Sequence, residues 1–287
     1  MTIVRHRMIR RGDRVGVAVS GGKDSLSLLQ ILYDLRDRHG GELVAISVDE
    51  GVEGYRDEAL ANARSLAMTL GVEHHIVSYE SLFGFSLDQA LKWDRKREIS
   101  ACSLCGVFRR RAIDEAAANA DVSVVATAHN LDDYIQTFVM NLLHGDVERL
   151  AWLDPSLTGE DFQLRRVKPF MRIYEQEIAL FAYLSGLPFQ SVACPYMHEG
   201  LRSEVRDYLN EMEAKHPGMK NVIMGSALEI ISRYGRASKK LLVPCVSCGK
   251  PSSGGRCSVC RMRDQLKQHL NYTEQFSRDW RRVGSGG

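Results

Sequence analysis

Ser20-Gly21-Gly22-Lys23-Asp24-Ser25 stands directly between a strand pattern and a helix pattern, and nothing else in the sequence limits the fold as tightly. The run before it, RVGVAVS (14–20), is short, apolar and rich in β-branched residues. After it, helical periodicity begins at Lys23. In an open parallel sheet, ligands bind beyond the carboxyl ends of the strands. Glycines at such a turn let backbone N–H groups approach a polyphosphate, and the helix start adds a favourable dipole. Ser20 and Ser25 bring hydroxyl donors, and Lys23 brings a mobile cation. The spacing is neither G-x-G-x-x-G nor G-x-x-x-x-G-K-[ST], which excludes the dinucleotide and Walker loops. A glycine-rich turn with no ligand is the alternative.

The rest of residues 14–150 alternates in the same way. The helical stretch from Lys23 to about Arg38 carries Leu26, Leu29 and Tyr33 on one stripe. ELVAISVD (42–49) reads as a second strand, followed by a helix around Arg56–Leu70 that Gly71 stops. HHIVSY (74–79) and SVVATA (123–128) read as the third and fourth strands. A helix follows with Leu131, Ile135, Phe138 and Leu142 on one face. Buried strands alternating with helices predict an α/β fold, an open parallel sheet covered on both sides. An insertion over 80–120 separates strands three and four, and its second part, Cys102–Asn119, reads as helix. Beyond Asp154-Pro155 come a strand in QLRRVKPF and helices near 175–185, 199–215 and 219–235. The expected partition is a basic segment (1–13), the sheet domain with its insertion (14–190), a helical extension (191–240), a cysteine ribbon (241–262) and a polar tail (263–287).

Composition narrows the class. Apolar residues make up 44% and charged residues 26%, as in soluble globular chains. No apolar run approaches the roughly 20 residues of a membrane span. The basic start, MTIVRHRMIRRGDR, has no apolar core, so it does not read as a secretory signal. A net charge of +2 neither demands nor excludes nucleic acid, but the arginines cluster. Arg5, Arg7, Arg10, Arg11 and Arg14 form one group, Arg109–Arg111 a second, and Arg278, Arg281 and Arg282 a third. Each group could hold phosphates or be solvated surface.

Seven cysteines, mostly in C-x-x-C pairs and without a signal peptide, point to metal ligation in a reducing compartment. Cys245-x2-Cys248-x8-Cys257-x2-Cys260 reads as a zinc ribbon of two knuckles, with Gly249, Gly254 and Gly255 giving the tight turns. Cys102, Cys105 and Cys194 remain. A closed zinc site wants four ligands, whereas three thiolates suit an iron–sulfur cluster with one open iron. Buried free cysteines are the plain alternative. At the end of strand four, Asp132 and Asp133 open a helix, where they can cap it or, beside a nucleotide, position Mg²⁺.

The Ser20–Ser25 loop resembles the S-G-G-x-D-S loop of the PP-loop ATP pyrophosphatases. That resemblance implies a five-stranded parallel sheet of adenine-nucleotide α-hydrolase type. It also implies a loop that grips the pyrophosphate released when ATP adenylates a substrate oxygen. Adenine would then be read by main-chain groups near Ala18 and Val48. The segment Ala126–Asp133 resembles the G-H-N-x-D-D element of the tRNA-thiolating members, with Ala128 in place of the glycine beside ATP. This implies that Asp133 is the more important carboxylate for chemistry and that Asp132 assists the metal. Cys102–Arg110 resembles the C-x-x-C-G-x-[FL]-[KR]-R stretch of the tRNA 2-thiouridine synthetases, and Met140–Asp146 and Cys194-Pro-Tyr196 match the same group.

From that group the chain acquires a set of expectations. Cys102, Cys105 and Cys194 hold a [4Fe–4S] cluster with one open iron, and Arg109 and Lys23 stabilise developing negative charge. The reaction is ATP-dependent replacement of a tRNA uridine C2 oxygen by sulfur, in the cytoplasm. The details favour the anticodon wobble uridine, with the thymine-loop uridine or a tRNA cytidine as alternatives. The sulfur donor is sulfide or a ubiquitin-like thiocarboxylate protein, no membrane is involved, and a homodimer is left open. Members of the group carry a second ribbon before the sheet; no cysteine precedes Cys102 here, which implies a smaller tRNA-binding surface or a shortened chain. Two rivals are a PP-loop ligase adding nitrogen to its adenylated substrate, which has no use for three further thiols, and a non-catalytic zinc-ribbon RNA-binding protein.

Overall fold

The computed structural model describes residues 2–94, 99–146, 149–150, 153–154, 164–190, 192–196, 201–234 and 242–269. Arg278, Arg281 and Arg282 lie outside them. Five strands form one sheet: β1 (Arg14–Ala18), β2 (Glu42–Asp49), β3 (Glu73–Ser78), β4 (Val124–Ala126) and β5 (Arg165–Val167). Their order is β3-β2-β1-β4-β5, and every pairing is parallel. The chain moves outward from β1 to β3, then returns to the other side of β1 for β4 and β5. The winding therefore reverses between β1 and β4, and a crevice opens there beyond the strand ends. The Ser20–Ser25 loop follows β1 and the His129–Asp133 segment follows β4, so the topology sets both at that crevice.

Side chains alternate between two cores with the period of two that a strand imposes. Val15, Val17, Leu43, Ala45, Val124 and Ala126 enter one core. Val44, Ile46, Val48 and Val125 enter the other. Burial on both faces is why the strands read as nearly unbroken apolar runs. The first core is closed by α1 (Thr2–Arg5), α2 (Lys23–Asp34), α4 (Arg56–Leu70), α8 (Leu131–Leu143) and α9 (Glu175–Leu184). Helices α10 (Leu201–Lys215) and α11 (Met219–Tyr234) pack on α8. The second core lies beneath α5 (Tyr79–Phe83), α6 (Leu87–Trp93) and α7 (Ala101–Asn119). No helix among the described residues is long and apolar enough to cross a membrane.

Three details differ from the sequence expectation. The helix expected to reach Arg38 breaks at Leu35, and a short α3 (Arg36–His39) follows. The Arg36 guanidinium adds a bond to the Tyr33 carbonyl at 2.9 Å, which also accepts a backbone N–H at the break. Second, the insertion begins with α5 and α6, each opened by a serine cap, Ser78 and Ser86. They are too short to show periodicity. Their aromatic rings gather on Phe108 of α7: Phe83, Phe85 and Tyr79 have centroids 4.8, 5.2 and 6.1 Å from it. That cluster fixes the helix carrying Cys102, Cys105 and Arg109. Third, Arg14 pairs with Glu42 and Glu73 across the starts of β1, β2 and β3. It ties strand ends opposite the crevice, so of the two readings open to its cluster, phosphate holding does not fit Arg14.

Candidate active site

The phosphate loop is built from two glycines with different reasons to be glycine. Gly21 has φ +85°, and a Cβ there would lie 2.0 Å from the Ala59 carbonyl oxygen of α4. The fold itself demands Gly21. Gly22 has φ −86°, and a Cβ there would meet nothing nearer than Ser20 Oγ at 3.6 Å. It is the N-cap of α2 and supplies no capping side chain. Packing does not require glycine at this position; a bare backbone there leaves the helix-start N–H groups open to an anion. Ser25 is buried and holds the loop's shape. Its Oγ accepts the Ser20 N–H and donates to the Gly22 carbonyl, both at 3.0 Å. The Ser20 hydroxyl stands 3.1 Å from it.

Lys23 Nζ reaches Glu175 Oε1 at 2.7 Å and lies 3.2 Å from both Asp24 oxygens. Burial opposes its charge, but Glu175 and Asp24 more than offset this and hold its pKa above the ordinary lysine value. Only Asp24 Oδ2 is aligned for a hydrogen bond; Oδ1, though beside Lys23, is buried with no hydrogen-bond partner among the described residues. Burial pushes the Asp24 carboxyl up, against the pull of Lys23. The expected adenine contacts, Ala18 and Val48, lie at the ends of neighbouring strands. The Val48 carbonyl already accepts Arg56 Nη2 at 2.6 Å.

The two acidic residues of α8 part company. Asp133 closes a capping box with Asn130: its N–H donates to Asn130 Oδ1 at 3.0 Å, and its Oδ2 accepts the Asn130 N–H at 3.2 Å. Burial raises its pKa, partly offset by that N–H, and the charges of Glu175 and Asp132 push the same way. Asp132 is buried, and both its oxygens are committed. Oδ1 pairs with Lys220 of α11, and Oδ2 accepts the Glu175 N–H at 2.8 Å. The magnesium role expected for Asp132 therefore gives way to a structural one. The residues that fit a divalent cation beside the loop are Asp24, whose Oδ1 lacks a hydrogen bond, and Asp133. Ala128 packs partly buried against the first core.

An ion-pair chain that sequence reasoning missed joins the loop to the cysteines. Arg56 donates Nη1 to the Ser20 carbonyl at 2.9 Å, and its Nε lies 2.7 Å from Glu50 Oε2. The other Glu50 oxygen accepts Arg109 Nε at 2.6 Å. Arg109 Nη2 in turn lies 3.2 Å from Cys105 Sγ. Glu50 is 2% exposed, while the Arg109 side chain is 46% exposed. Burial works against the Arg109 charge, but Glu50, Cys105 and Tyr79 together hold its pKa above the ordinary value. The signal for Glu50 was its place: a carboxylate directly past the end of β2, before Gly51.

Cys102 and Cys105 lie one turn apart at the start of α7, whose N-cap Ser100 accepts the Ser103 N–H at 3.3 Å. Burial raises the Cys105 pKa, and Arg109 opposes the rise. Tyr79 OH donates to the Cys105 carbonyl at 2.7 Å. Tyr196 fixes the Cys194 segment over this helix: its carbonyl is 3.8 Å from Cys102 Sγ, and its hydroxyl donates to Asp88 at 2.8 Å. A thiolate at Cys194 would raise the pKa of both Cys105 and Tyr55, which places it near them. The three sulfurs are not gathered as around a single ion; among the described residues, only the C-terminal quartet has ligand atoms all within 4.8 Å of one another. Cys102, Cys105 and Cys194 would be the thiolates to hold a multi-iron cluster, which does not require them to converge on one ion.

Cys245, Cys248, Cys257 and Cys260 converge around β6 (Val243–Pro244) and β7 (Pro251–Ser252), an antiparallel pair. Backbone N–H groups of Ser247 and Cys257 point at Cys245 Sγ at 3.4 and 3.3 Å. Four convergent sulfurs met by N–H donors fit a tetrahedral Zn²⁺. Arg111 of α7 approaches Cys248 and Cys257 Sγ at 3.8 and 3.7 Å. A helical segment over 258–269 follows, and its Leu266 is buried in the second core. The ribbon is thus docked on the helix that carries the first two cysteines.

Comparison with known proteins agrees with this architecture. Residues 3–212 match the PP-loop domain family. A cytoplasmic tRNA 2-thiolation protein 1 from Chlamydomonas reinhardtii is 37% identical over 274 residues, 94% of this chain and 76% of that protein. Its Saccharomyces cerevisiae counterpart is 35% identical over 277 residues, 93% and 77% of the two chains. Among solved structures, the U34-tRNA thiolase NcsA from Methanococcus maripaludis, with its [4Fe-4S] cluster, superposes with a TM-score of 0.76 at 32% identity, covering 91% of this chain and 83% of that one. A phosphate loop and acidic element at the sheet's switch point, joined by one ion-pair chain to paired cysteines, together with these matches, make this chain a member of the PP-loop family and, within it, of the cytoplasmic tRNA 2-thiolation protein group.

Proposed function

We propose that this chain is an ATP-dependent tRNA uridine 2-sulfurtransferase acting on the anticodon wobble uridine, in the cytoplasm as the relatives' names state. The observation that carries the proposal is the continuous path from the Ser20 carbonyl through Arg56, Glu50 and Arg109 to Cys105. It holds the nucleotide grip and the thiols in one frame, as a reaction needs that first activates an oxygen and then delivers sulfur to the same carbon. A ligase adding nitrogen has no use for such a link.

The chemistry follows from what each group can do. The C2 oxygen of uridine attacks the α-phosphorus of ATP; the O–P bond forms, the bond to the β-phosphate oxygen breaks, and pyrophosphate leaves. Charge growing on the leaving pyrophosphate is met by the α2 N–H groups and by Lys23. Asp24 and Asp133 are the residues that would hold Mg²⁺ there. Sulfide then attacks C2, the C2–O bond breaks, and AMP carries the original oxygen away. Adenylation is needed because a carbonyl oxygen is a poor leaving group and AMP a good one. Arg109, charged and partly exposed, stabilises the negative charge that develops on the atoms around C2. When bound by Cys102, Cys105 and Cys194, a [4Fe–4S] cluster supplies an open iron position that can hold sulfide. The U34 specificity in the name of the M. maripaludis thiolase supports the wobble position. The sulfur comes from sulfide or from a thiocarboxylate carrier protein.

The test is anaerobic reconstitution with iron and sulfide, followed by incubation with ATP, Mg²⁺, sulfide and unmodified tRNA. Mass spectrometry of the digested tRNA should find one 2-thiouridine, at the wobble position, with one AMP and one pyrophosphate released per sulfur inserted. Protein that carries its cluster and binds ATP yet makes no 2-thiouridine would defeat the proposal.

A further inference from the structure

The crevice beside Asp133 holds more positive charge than the nucleotide chemistry uses. His129, in the turn between β4 and α8, is exposed, with Nδ1 2.8 Å from Thr127 Oγ1. Around it stand four cations from separate parts of the fold: Lys168 just after β5, Arg110 on α7, Arg202 at the start of α10 and Arg166 in β5. Contacts with Tyr134, Gln136 and Thr137 set Lys168 and Arg202 on the first turns of α8, and Arg166 of β5 ties Arg110 to the same side. Arg166 is neutralised by Asp114 and donates to the Arg110 carbonyl at 3.3 Å. The others are not matched in this way. Among the described residues, Arg202 donates to the neutral acceptors Gln136 Oε1 and Thr137 Oγ1, both at 3.2 Å. Lys168 Nζ lies 5.6 Å from the Tyr134 ring centroid.

Among the described residues, Arg110, Lys168 and Arg202 have no carboxylate within ion-pair distance, and Asp114 and Asp133 offset them only at longer range. Burial lowers the pKa of both Arg110 and Lys168, helped by Arg166 beside the first and Arg110 beside the second. Holding unpaired like charges together disfavours the free fold, and a bound anion relieves it. The ATP phosphates do not need this cluster, because the α2 start and Lys23 serve them beyond β1. The cations lie instead toward the β5 edge, on the far side of Asp133. Resting on the function proposed above, we infer that Arg110, Lys168 and Arg202 form a cleft that binds tRNA backbone phosphates flanking the target uridine, with His129 in its wall.

The experiment compares full-length wild type with the double variant Arg110→Ala, Lys168→Ala. Filter binding of unmodified tRNA is followed across a KCl series, and ATP affinity is measured on the same samples. The variant should bind tRNA roughly ten- to a hundredfold more weakly, with a log K against log salt slope flatter by about one to two. Its ATP affinity should match wild type. The charge-preserving pair Arg110→Lys, Lys168→Arg should keep the wild-type slope, which separates lost charge from lost fold. Unchanged tRNA affinity and slope in the alanine variant would overturn the inference. So would weakened ATP binding with intact tRNA binding, which would assign the cations to the triphosphate. Binding is read here without turnover: a wild type that binds tRNA in this salt-dependent way but makes no 2-thiouridine would sink the proposed reaction, not the cleft.

Discussion

Asp132 and Asp133 are neighbours with the same chemistry and opposite surroundings. Asp133 faces the crevice with Oδ1 free of hydrogen bonds among the described residues, whereas Asp132 is sealed against Lys220, itself buried. Asp133→Asn should leave the melting curve near wild type and slow ATP-dependent pyrophosphate release about a hundredfold or more. Asp132→Asn should do the reverse. Stranding the Lys220 ammonium in the interior costs about 3 kcal/mol in denaturant unfolding, while turnover per folded molecule stays within a few fold. Glu50 combines both effects, because it pairs the buried Arg56 and orients Arg109. Glu50→Gln is expected to cost about 3 kcal/mol of stability and, in the fraction that remains folded, to lower kcat for thiolation more than it raises KM. The adjacent aspartates were legible in the sequence as a pair at a strand end, but their division of labour was not. It depends on Lys220, 88 positions away, which no local pattern announces.

At the level of elements, the loop separates what the fold needs from what a ligand needs. Gly21→Ala forces a side chain into a left-handed backbone and against the Ala59 carbonyl, and should destabilise by roughly 3 kcal/mol. Gly22→Ala has room, so its stability should stay within about 1 kcal/mol of wild type while ATP affinity, read by calorimetry, falls about tenfold. Equal losses of stability in the two variants would mean that Gly22 is structural as well. The strands were readable because burial on both faces leaves apolar runs bounded by polar residues. The α4 boundary was readable because Gly71 stops that helix in a left-handed conformation. Helices α5 and α6 were not, since their order comes from serine caps and from aromatic contacts with α7, more than a dozen residues downstream.

Across the whole molecule, α7 is the shared member. Its first two turns carry Cys102 and Cys105, its third carries Arg109, and Arg111 one turn from Phe108 meets the ribbon sulfurs. Zinc in the ribbon is accordingly expected to hold the C-terminal segment against the sheet domain. Elemental analysis should find one zinc per chain, and stripping it with a chelator should make residues 242–269 the first site of limited proteolysis. The fold class, the loop and both cysteine groups were visible in the sequence because each is a local spacing. The ion-pair chain that unites them was not, because its members come from the loop, the end of β2, the start of α4 and the middle of α7.

That union is open to a direct trial. In a single anaerobic turnover with ATP and tRNA, Cys194→Ser protein should release pyrophosphate and accumulate adenylated tRNA while forming no 2-thiouridine. Formation of 2-thiouridine at the wild-type rate would show that sulfur does not pass through the three-cysteine site.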